Sequence, residues 1–146
     1  MACEFCEGPG GELVWEDSRC RVVCVGDRDY PGFCRVVWQE HAKEMTDLAA
    51  ADQRHFMHVV LAVERALRLA LNPDKVNLAS LGNMTPHLHW HVIPRFRDDR
   101  HFPNPVWGQV AARAHRAVQI TATEISRSLQ QALCEAAQQP EGSGIV

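Results

Sequence analysis

Three histidines alternate with apolar residues in the segment PHLHWHVIPRF, which covers residues 86–96. His87, His89 and His91 occupy every second position of it. Successive side chains of a β-strand point to opposite faces, so the alternation predicts a strand with three imidazoles on one face. The other face is apolar and can enter a core. Such a strand requires a sheet with one face packed and the opposite face lining a surface or cleft.

The residues alone leave the chemistry of the three imidazoles open. Two histidines of a His-x-His pair can ligate one metal ion, and that ion could activate a water molecule for hydrolysis. Imidazole also serves as a nucleophile or general base, because its ordinary pKa is about 6.5. A solvated polar face is the third alternative, although threonine, lysine or glutamate would suit such positions better. Asp98 and Asp99 are acidic partners for a metal-bound water, but they lie beyond Pro94, off the predicted strand.

Helical periodicity occurs downstream of the first third of the chain. Residues 50–71 repeat apolar side chains at intervals of three and four, which predicts a long amphipathic helix packed on the sheet. A final helix is predicted over residues 121–138, where Thr121 and Glu124 form a capping-box pattern. A short helix is predicted over residues 111–118.

Four further segments predict strands, since they are rich in β-branched or aromatic residues and are bounded by turn residues. Connections of hairpin length make the first three strands antiparallel neighbours. We therefore expect one α+β domain: an antiparallel sheet of about five strands, a long packed helix and a C-terminal helical extension. Residues 1–97 should form its core and residues 98–146 the extension. The predicted strands cover residues 12–17, 20–27, 33–40, 75–81 and 87–95.

Composition and charge exclude several kinds of partner. The chain of 146 residues is 46% hydrophobic and 23% charged, which is typical of one folded domain. A net charge of −3 leaves no broad basic face for a nucleic acid polymer. The segment MACEFCEGPGGE lacks the apolar run of a signal peptide, and no segment reaches the ~20 apolar residues of a membrane span. We therefore expect a cytoplasmic protein without a membrane partner.

The segment HLHWHVI matches the His-φ-His-φ-His-φ-φ signature, where φ is apolar, of the histidine triad (HIT) family. The chain resembles that family over most of residues 3–97. Two N-terminal cysteines, the strand VVWQEH with its terminal histidine, the long helix and the block VNLASLGNMTPHLHWHVIPR follow in the family's order. The resemblance is to the zinc-containing bacterial type, and to dinucleoside polyphosphate hydrolases and nucleoside phosphoramidases.

The resemblance implies nucleotide chemistry at the triad. It makes His89 the nucleophile that attacks the α-phosphorus of a dinucleoside polyphosphate or nucleoside phosphoramidate, through a covalent nucleotidyl-histidine intermediate. It makes His91 a contact to the phosphate or the leaving group, and it favours a purine nucleotide and a homodimer. Two alternatives stay open, a metal-dependent hydrolase that uses the histidines as ligands and a non-catalytic nucleotide-binding module.

The resemblance also points to residues that contact the substrate. The loop GNMTP precedes the triad, where many relatives carry Gly-Gln-Ser or Gly-Gln-Thr; Asn83 and Thr85 are the polar substitutes here. Asn77 matches a family asparagine near the site. Asp27 resembles the acidic position that contacts ribose in relatives, with Asp29 nearly as good a match.

A metal site is implied for the N-terminal cysteines. Cys3 and Cys6 alone would suit redox chemistry only if they lay between a strand and a helix. Zinc requires two more ligands for a closed tetrahedral site. By resemblance, His41 and His87 supply them, which predicts one structural Zn²⁺ per chain. The alternative is an N-terminus without metal.

Overall fold

The computed structural model describes residues 2–111 and 118–138. Five strands form one sheet in the order β1-β2-β3-β5-β4, and every neighbouring pair is antiparallel. The α+β prediction is confirmed, with a five-stranded sheet, one long helix and a C-terminal helix. The elements are α1 Glu4–Glu7, β1 Glu12–Glu16, β2 Cys20–Cys24, β3 Cys34–Trp38, a 3-10 turn Met45–Asp47, α2 Ala50–Leu71, β4 Lys75–Ala79, β5 His89–Arg95 and α3 Ala122–Gln138.

The long helix α2 has the predicted bounds. Its buried side chains include Phe56, Val60, Val63 and Leu67, which recur at intervals of three and four and form one stripe against the sheet. Asn72 follows the helix in the left-handed conformation, with φ 46°, and its backbone N–H donates to the carbonyl of the preceding turn. The helix therefore ends before the proline that comes next, as expected.

The C-terminal helix α3 covers the same face of the sheet and packs on α2 and β1. Ile125, Leu129 and Ala132 are fully buried in the shared core. The predicted capping box is present, since Thr121 N–H donates to Glu124 at 2.8 Å and Glu124 N–H donates to the Thr121 hydroxyl at 3.2 Å. The short helix predicted over 111–118 falls largely on residues outside the described part of the chain. No described helix is both long and apolar enough to cross a membrane.

Side chains of the histidine-containing strand β5 and of Leu88 before it alternate between the two faces of the sheet, as predicted. Leu88 and Val92 are buried in the core under α2. His89 and His91 point to the opposite face of the sheet, which neither of the two long described helices, α2 and α3, covers. The prediction of the strand's start was wrong by two residues: β5 begins at His89, because His87 lies in a bend where its backbone N–H donates to Thr85 at 2.8 Å.

Candidate active site

Strand pairing brings polar side chains together on the face of the sheet opposite α2, which we call the open face. Arg35 on β3 is the register partner of His91 on β5, and Val37 is the partner of His89. The two imidazole rings lie edge to face, with centroids 4.8 Å apart. They line a cavity of about 440 Å³ whose other walls are α1, the loop 81–85 and Trp107. The cavity is large enough for part of a nucleotide-sized ligand.

The tautomer of His89 follows from one hydrogen bond. Its Nδ1 lies 2.6 Å from the backbone carbonyl oxygen of His87, which can only accept, so Nδ1 carries the proton and donates. The opposite ring nitrogen, Nε2, then holds a free lone pair. Burial lowers the pKa of His89, and the nearby Arg35 charge acts in the same direction although the bond to His87 opposes both. The neutral, nucleophilic imidazole is thereby favoured.

His91 is also held neutral. Burial lowers the pKa of His91 to about 4, and electrostatic interactions with the neighbouring His89 and Arg35 act in the same direction. Its ring packs against Phe33 and Trp107, with centroid distances of 5.6 Å and 5.0 Å. The buried Nδ1 atom has no hydrogen-bond partner among the described residues. A buried polar atom without a partner is costly, so His91 is suited to receive a ligand atom.

Arg35 supplies the positive charge of the cavity. Its Nη1 donates to the carbonyl oxygen of Gly10 at 3.0 Å, and its guanidinium lies 5.6 Å above the centre of the Phe5 ring. Its Nε atom is buried and has no partner among the described residues. The side chain is therefore anchored at one nitrogen and leaves another for a phosphoryl oxygen. No sequence motif had indicated this role, which depends on strand register.

The short helix α1 forms a wall of the cavity through Phe5. This ring is 3% exposed and contacts the His89 ring at a centroid distance of 4.8 Å. Arg21 on β2 fastens the segment to the sheet, donating to the carbonyl oxygens of Phe5 at 2.6 Å and Pro9 at 3.0 Å. The N-terminal segment is therefore part of the site.

The four predicted metal ligands meet behind this wall. Ligand atoms of Cys3, Cys6, His41 and His87 all lie within 4.8 Å of one another. Three sulfur-to-nitrogen distances are 3.4, 3.4 and 3.5 Å. Tetrahedral zinc with ordinary bond lengths would place sulfur and nitrogen ligands about 3.6 Å apart.

The surroundings of His87 support the same assignment. Its Nε2 donates to the carbonyl oxygen of Trp38 at 2.7 Å, so Nδ1 is the free nitrogen, and Nδ1 is the atom that faces Cys3 and Cys6. Metal-bound histidines are typically oriented by such a second hydrogen bond. The cluster is compatible with structural zinc.

A second group of potential ligands has another explanation. Asp17, Cys20 and His55 also lie within 4.8 Å of one another. The Asp17 carboxylate, however, already accepts bonds from the backbone of Arg19 and Cys20 at 2.8 Å and contacts His55 Nε2 at 2.6 Å. Burial raises the pKa of the Cys20 thiol to about 12, so it is a poor ligand. This group stabilises the β1–β2 turn against α2.

The predicted substrate-binding residues are distributed over three places. Asn83 and Thr85 line the histidine cavity. Asn77 lies on the same face of β4, borders an adjoining groove of about 590 Å³, and accepts a bond from Arg95 at 2.7 Å. Asp27 borders a separate small cavity after β2, where its carboxylate caps the Asp29 N–H at 2.8 Å.

A buried polar network supports the Trp107 wall. Asp99 accepts bonds from Arg95 at 2.7 and 3.0 Å and from three backbone N–H groups. Burial alone would raise the pKa of Asp99, but these donors outweigh it and hold the pKa below its ordinary value. His101 bonds to the hydroxyl of Tyr30. The network fixes the loop that carries Trp107 and explains why Asp99 is not a partner for the triad.

Comparisons with known proteins agree with this geometry. The HIT domain family model matches residues 10–98. A solved histidine triad protein from Bradyrhizobium japonicum is 31% identical, with a TM-score of 0.65 over 82% of this chain and 90% of that chain. A histidine triad (HIT) protein from Sinorhizobium meliloti is 27% identical, with a TM-score of 0.69 over 90% of this chain and 95% of that chain.

A Zn-bound histidine triad family protein from Mycobacterium smegmatis is 22% identical, with a TM-score of 0.58 over 94% of this chain and 96% of that chain, and shares the fold. Among curated protein sequences no relative reaches significance. The sheet, the long helix and the triad strand define a HIT-type fold. The chain belongs to the HIT domain family, whose members are generally nucleotide hydrolases or transferases.

Proposed function

We propose that the chain cleaves nucleotides at the α-phosphate through a covalent intermediate on His89. The observation that carries the proposal is the 2.6 Å bond from His89 Nδ1 to the His87 carbonyl oxygen, which leaves Nε2 free to attack. The substrate class is dinucleoside polyphosphates or nucleoside phosphoramidates. A purine base would find a stacking surface on Trp107, which is 53% exposed.

Two displacements complete the reaction. The lone pair of His89 Nε2 attacks the α-phosphorus, and the bond from phosphorus to the leaving oxygen or nitrogen breaks. The leaving group keeps that electron pair and takes a proton from water. A second water then attacks the phosphorus and loses a proton to solvent, while the phosphorus–nitrogen bond returns its electrons to His89. Arg35 offsets charge on the phosphoryl oxygens and His91 contacts the phosphate or leaving group.

The residues proposed to contact the substrate lie at different distances from His89. Asn83 and Thr85 would contact the phosphate, since they share its cavity with His89. Asn77 would be reached through the adjoining groove. The predicted ribose contact of Asp27 requires a substrate that extends beyond the histidine cavity, toward the loop after β2.

The structure gives less support to a hydrolytic metal centre formed by His87, His89 and His91 than to the covalent mechanism. His87 Nδ1 faces Cys3 and Cys6 at 3.4 and 3.5 Å, and His89 Nδ1 is engaged by a carbonyl oxygen. We propose instead that His87 belongs with Cys3, Cys6 and His41 to one structural Zn²⁺ per chain. Bound zinc would act as a cross-link that fastens the N-terminal segment to the sheet.

The covalent step can be tested by trapping the intermediate. The His91→Asn variant should accumulate AMP on His89 when incubated with AMP-amide or an adenosine polyphosphate, because loss of His91 slows resolution. Peptide mass spectrometry locates the adduct, and metal analysis of the same sample counts zinc. A His89→Asn, His91→Asn double variant is the control.

Other outcomes would support the alternatives. Loss of turnover on chelation, with no adduct on any histidine, would support the metal-dependent hydrolase. Nucleotide binding without turnover would support the non-catalytic nucleotide-binding module.

We propose that the protein is a homodimer that pairs through β4. This strand is at the edge of the sheet and, within residues 2–111 and 118–138, has only β5 as a neighbour, so its second row of backbone groups is available for pairing. Leu61 and Leu69 on α2 are 47% and 57% exposed, which offers apolar area for a partner. Light scattering should give twice the chain mass of 16.4 kDa; a mass of one chain at micromolar concentration would contradict the proposal.

A cytoplasmic location is proposed on the chemistry of the cysteine pair. Zinc ligation needs Cys3 and Cys6 as free thiolates, which a reducing compartment maintains. Both are free in the structure. Finding a labelled chain in an oxidising compartment would contradict this proposal.

A further inference from the structure

Glu4, which lies between Cys3 and the buried Phe5 in the sequence, faces the catalytic cavity. Glu4 begins α1 and is exposed, with its side chain lining the cavity that contains His89 and His91. The hydroxyl of Thr85, on the loop before the triad, donates to the Glu4 carboxylate at 3.4 Å. The carboxylate therefore lies at the exposed mouth of the cavity, between α1 and that loop.

The charges of the cavity are one cation and one anion. Among the described residues that line it, Arg35 is the only lysine or arginine and Glu4 the only carboxylate. Arg35 lies on β3 beside His91, where it can reach the α-phosphoryl group, whereas Glu4 lies at the mouth.

This arrangement suits some leaving groups better than others. A polyphosphate leaving group carries several negative charges, and it would meet one arginine and a repelling carboxylate. A leaving group that carries an ammonium would instead pair with Glu4 while Arg35 contacts the phosphoryl oxygens. Attraction and repulsion by one exposed charge are modest in water, so the effect is on selectivity and does not decide whether the reaction occurs.

We infer that Glu4 is a specificity-determining residue that selects nucleoside phosphoramidates whose amine leaving group carries a second, positively charged amine. The inference rests on the proposed function and narrows its substrate class. Glu4 does not react: the phosphorus–nitrogen bond breaks as described, and the leaving diamine keeps its ammonium beside the carboxylate.

The test compares two AMP amides of equal length. One is made from a diamine that retains a free ammonium, and the other from the neutral alkylamine. Binding is measured by calorimetry in the His89→Asn background, which prevents turnover, and kcat/KM is measured with His89 intact. We expect a preference of about three- to fivefold for the cationic amide, loss of that preference in Glu4→Gln, and reversal in Glu4→Lys.

Glu7→Gln is the matched control. Glu7 lies on the same short helix and is exposed, but it is not part of the cavity wall, so this variant should keep the wild-type preference. Zinc content and melting temperature should be equal in all three variants.

The outcomes separate the two proposals. An unchanged preference in Glu4→Gln, or an equal loss in Glu7→Gln, would overturn the role of Glu4 while turnover continues. A Glu4-dependent binding preference without any adduct on His89 would support Glu4 and overturn the covalent mechanism. Failure of both amides to bind would overturn the role of Glu4, while an adduct on His89 from an adenosine polyphosphate would still support the covalent mechanism.

Discussion

Replacing His89 with asparagine is expected to lower kcat for nucleotide cleavage by on the order of 10⁴-fold or more, the scale of losing a covalent nucleophile. Asparagine can place an N–H group near the position of Nδ1 and so keep the bond to the His87 carbonyl oxygen, which is 2.6 Å long in the wild-type protein. It cannot replace the lone pair of Nε2. The expected loss is therefore chemical, with the strand intact.

Steady-state kinetics and a thermal melt check this result together. His58→Asn is a suitable control, because His58 is exposed on α2 and outside the cavity; it should have wild-type activity. The His89 variant should melt within a few degrees of the wild type and should still bind AMP. A kcat reduced by less than tenfold would contradict the assignment of His89 as the nucleophile.

Replacing Cys3 with serine is expected to release the proposed zinc and to lower the melting temperature by about 10 °C. Structural zinc contributes on the order of 10 kcal/mol to folding in small zinc domains. Here the main core between the sheet, α2 and α3 does not include the N-terminal segment, so only about 2 to 3 kcal/mol should be lost, which corresponds to that shift for a chain of this size.

The Cys3→Ser variant should also turn over substrate more slowly when it loses zinc, because the wall of the cavity is disturbed. Phe5 packs on His89 at a centroid distance of 4.8 Å, and release of α1 would open that side of the cavity. Cys134→Ser removes an exposed thiol on α3 and should change neither zinc content, melting temperature nor activity. Full zinc content in the Cys3 variant, or an unchanged melting temperature, would contradict the proposed ligand set.

Local sequence was sufficient for the two long helices and for the two faces of β5. The periodicity of residues 50–71 and the Thr121–Glu124 cap are properties of neighbouring positions, and the observed α2 and α3 have bounds within a residue of those predicted. The short helix α1 escaped prediction, because four residues carry too little periodicity to be detected. Its position depends on contacts with β2 that are distant in sequence.

The site was predicted less completely than the fold. The spacing of the triad and of the cysteines pointed to His89 and to a metal cluster, since both follow the order of a known family. Arg35 was missed because its role arises from pairing with His91 across β3 and β5. The ion pair between Arg95 and Asp99 was missed for a similar reason. The two residues are only four positions apart, but nothing in the local sequence indicates that both are buried, with an exposure of 2% each.

The sequence by itself determined which residue types were available and which face of each strand or helix they occupied, because alternation and helical periodicity act between near neighbours. It also indicated the family. The resemblance assigned different roles to the three histidines, and only the tertiary structure shows the contacts that go with those roles. His87 turns toward Cys3 and Cys6 while its carbonyl oxygen orients His89, and Arg35 and Glu4 line one cavity with His89 and His91. Apart from the local bond between His87 and His89, those contacts join residues far apart in sequence, and only the packed sheet brings them together.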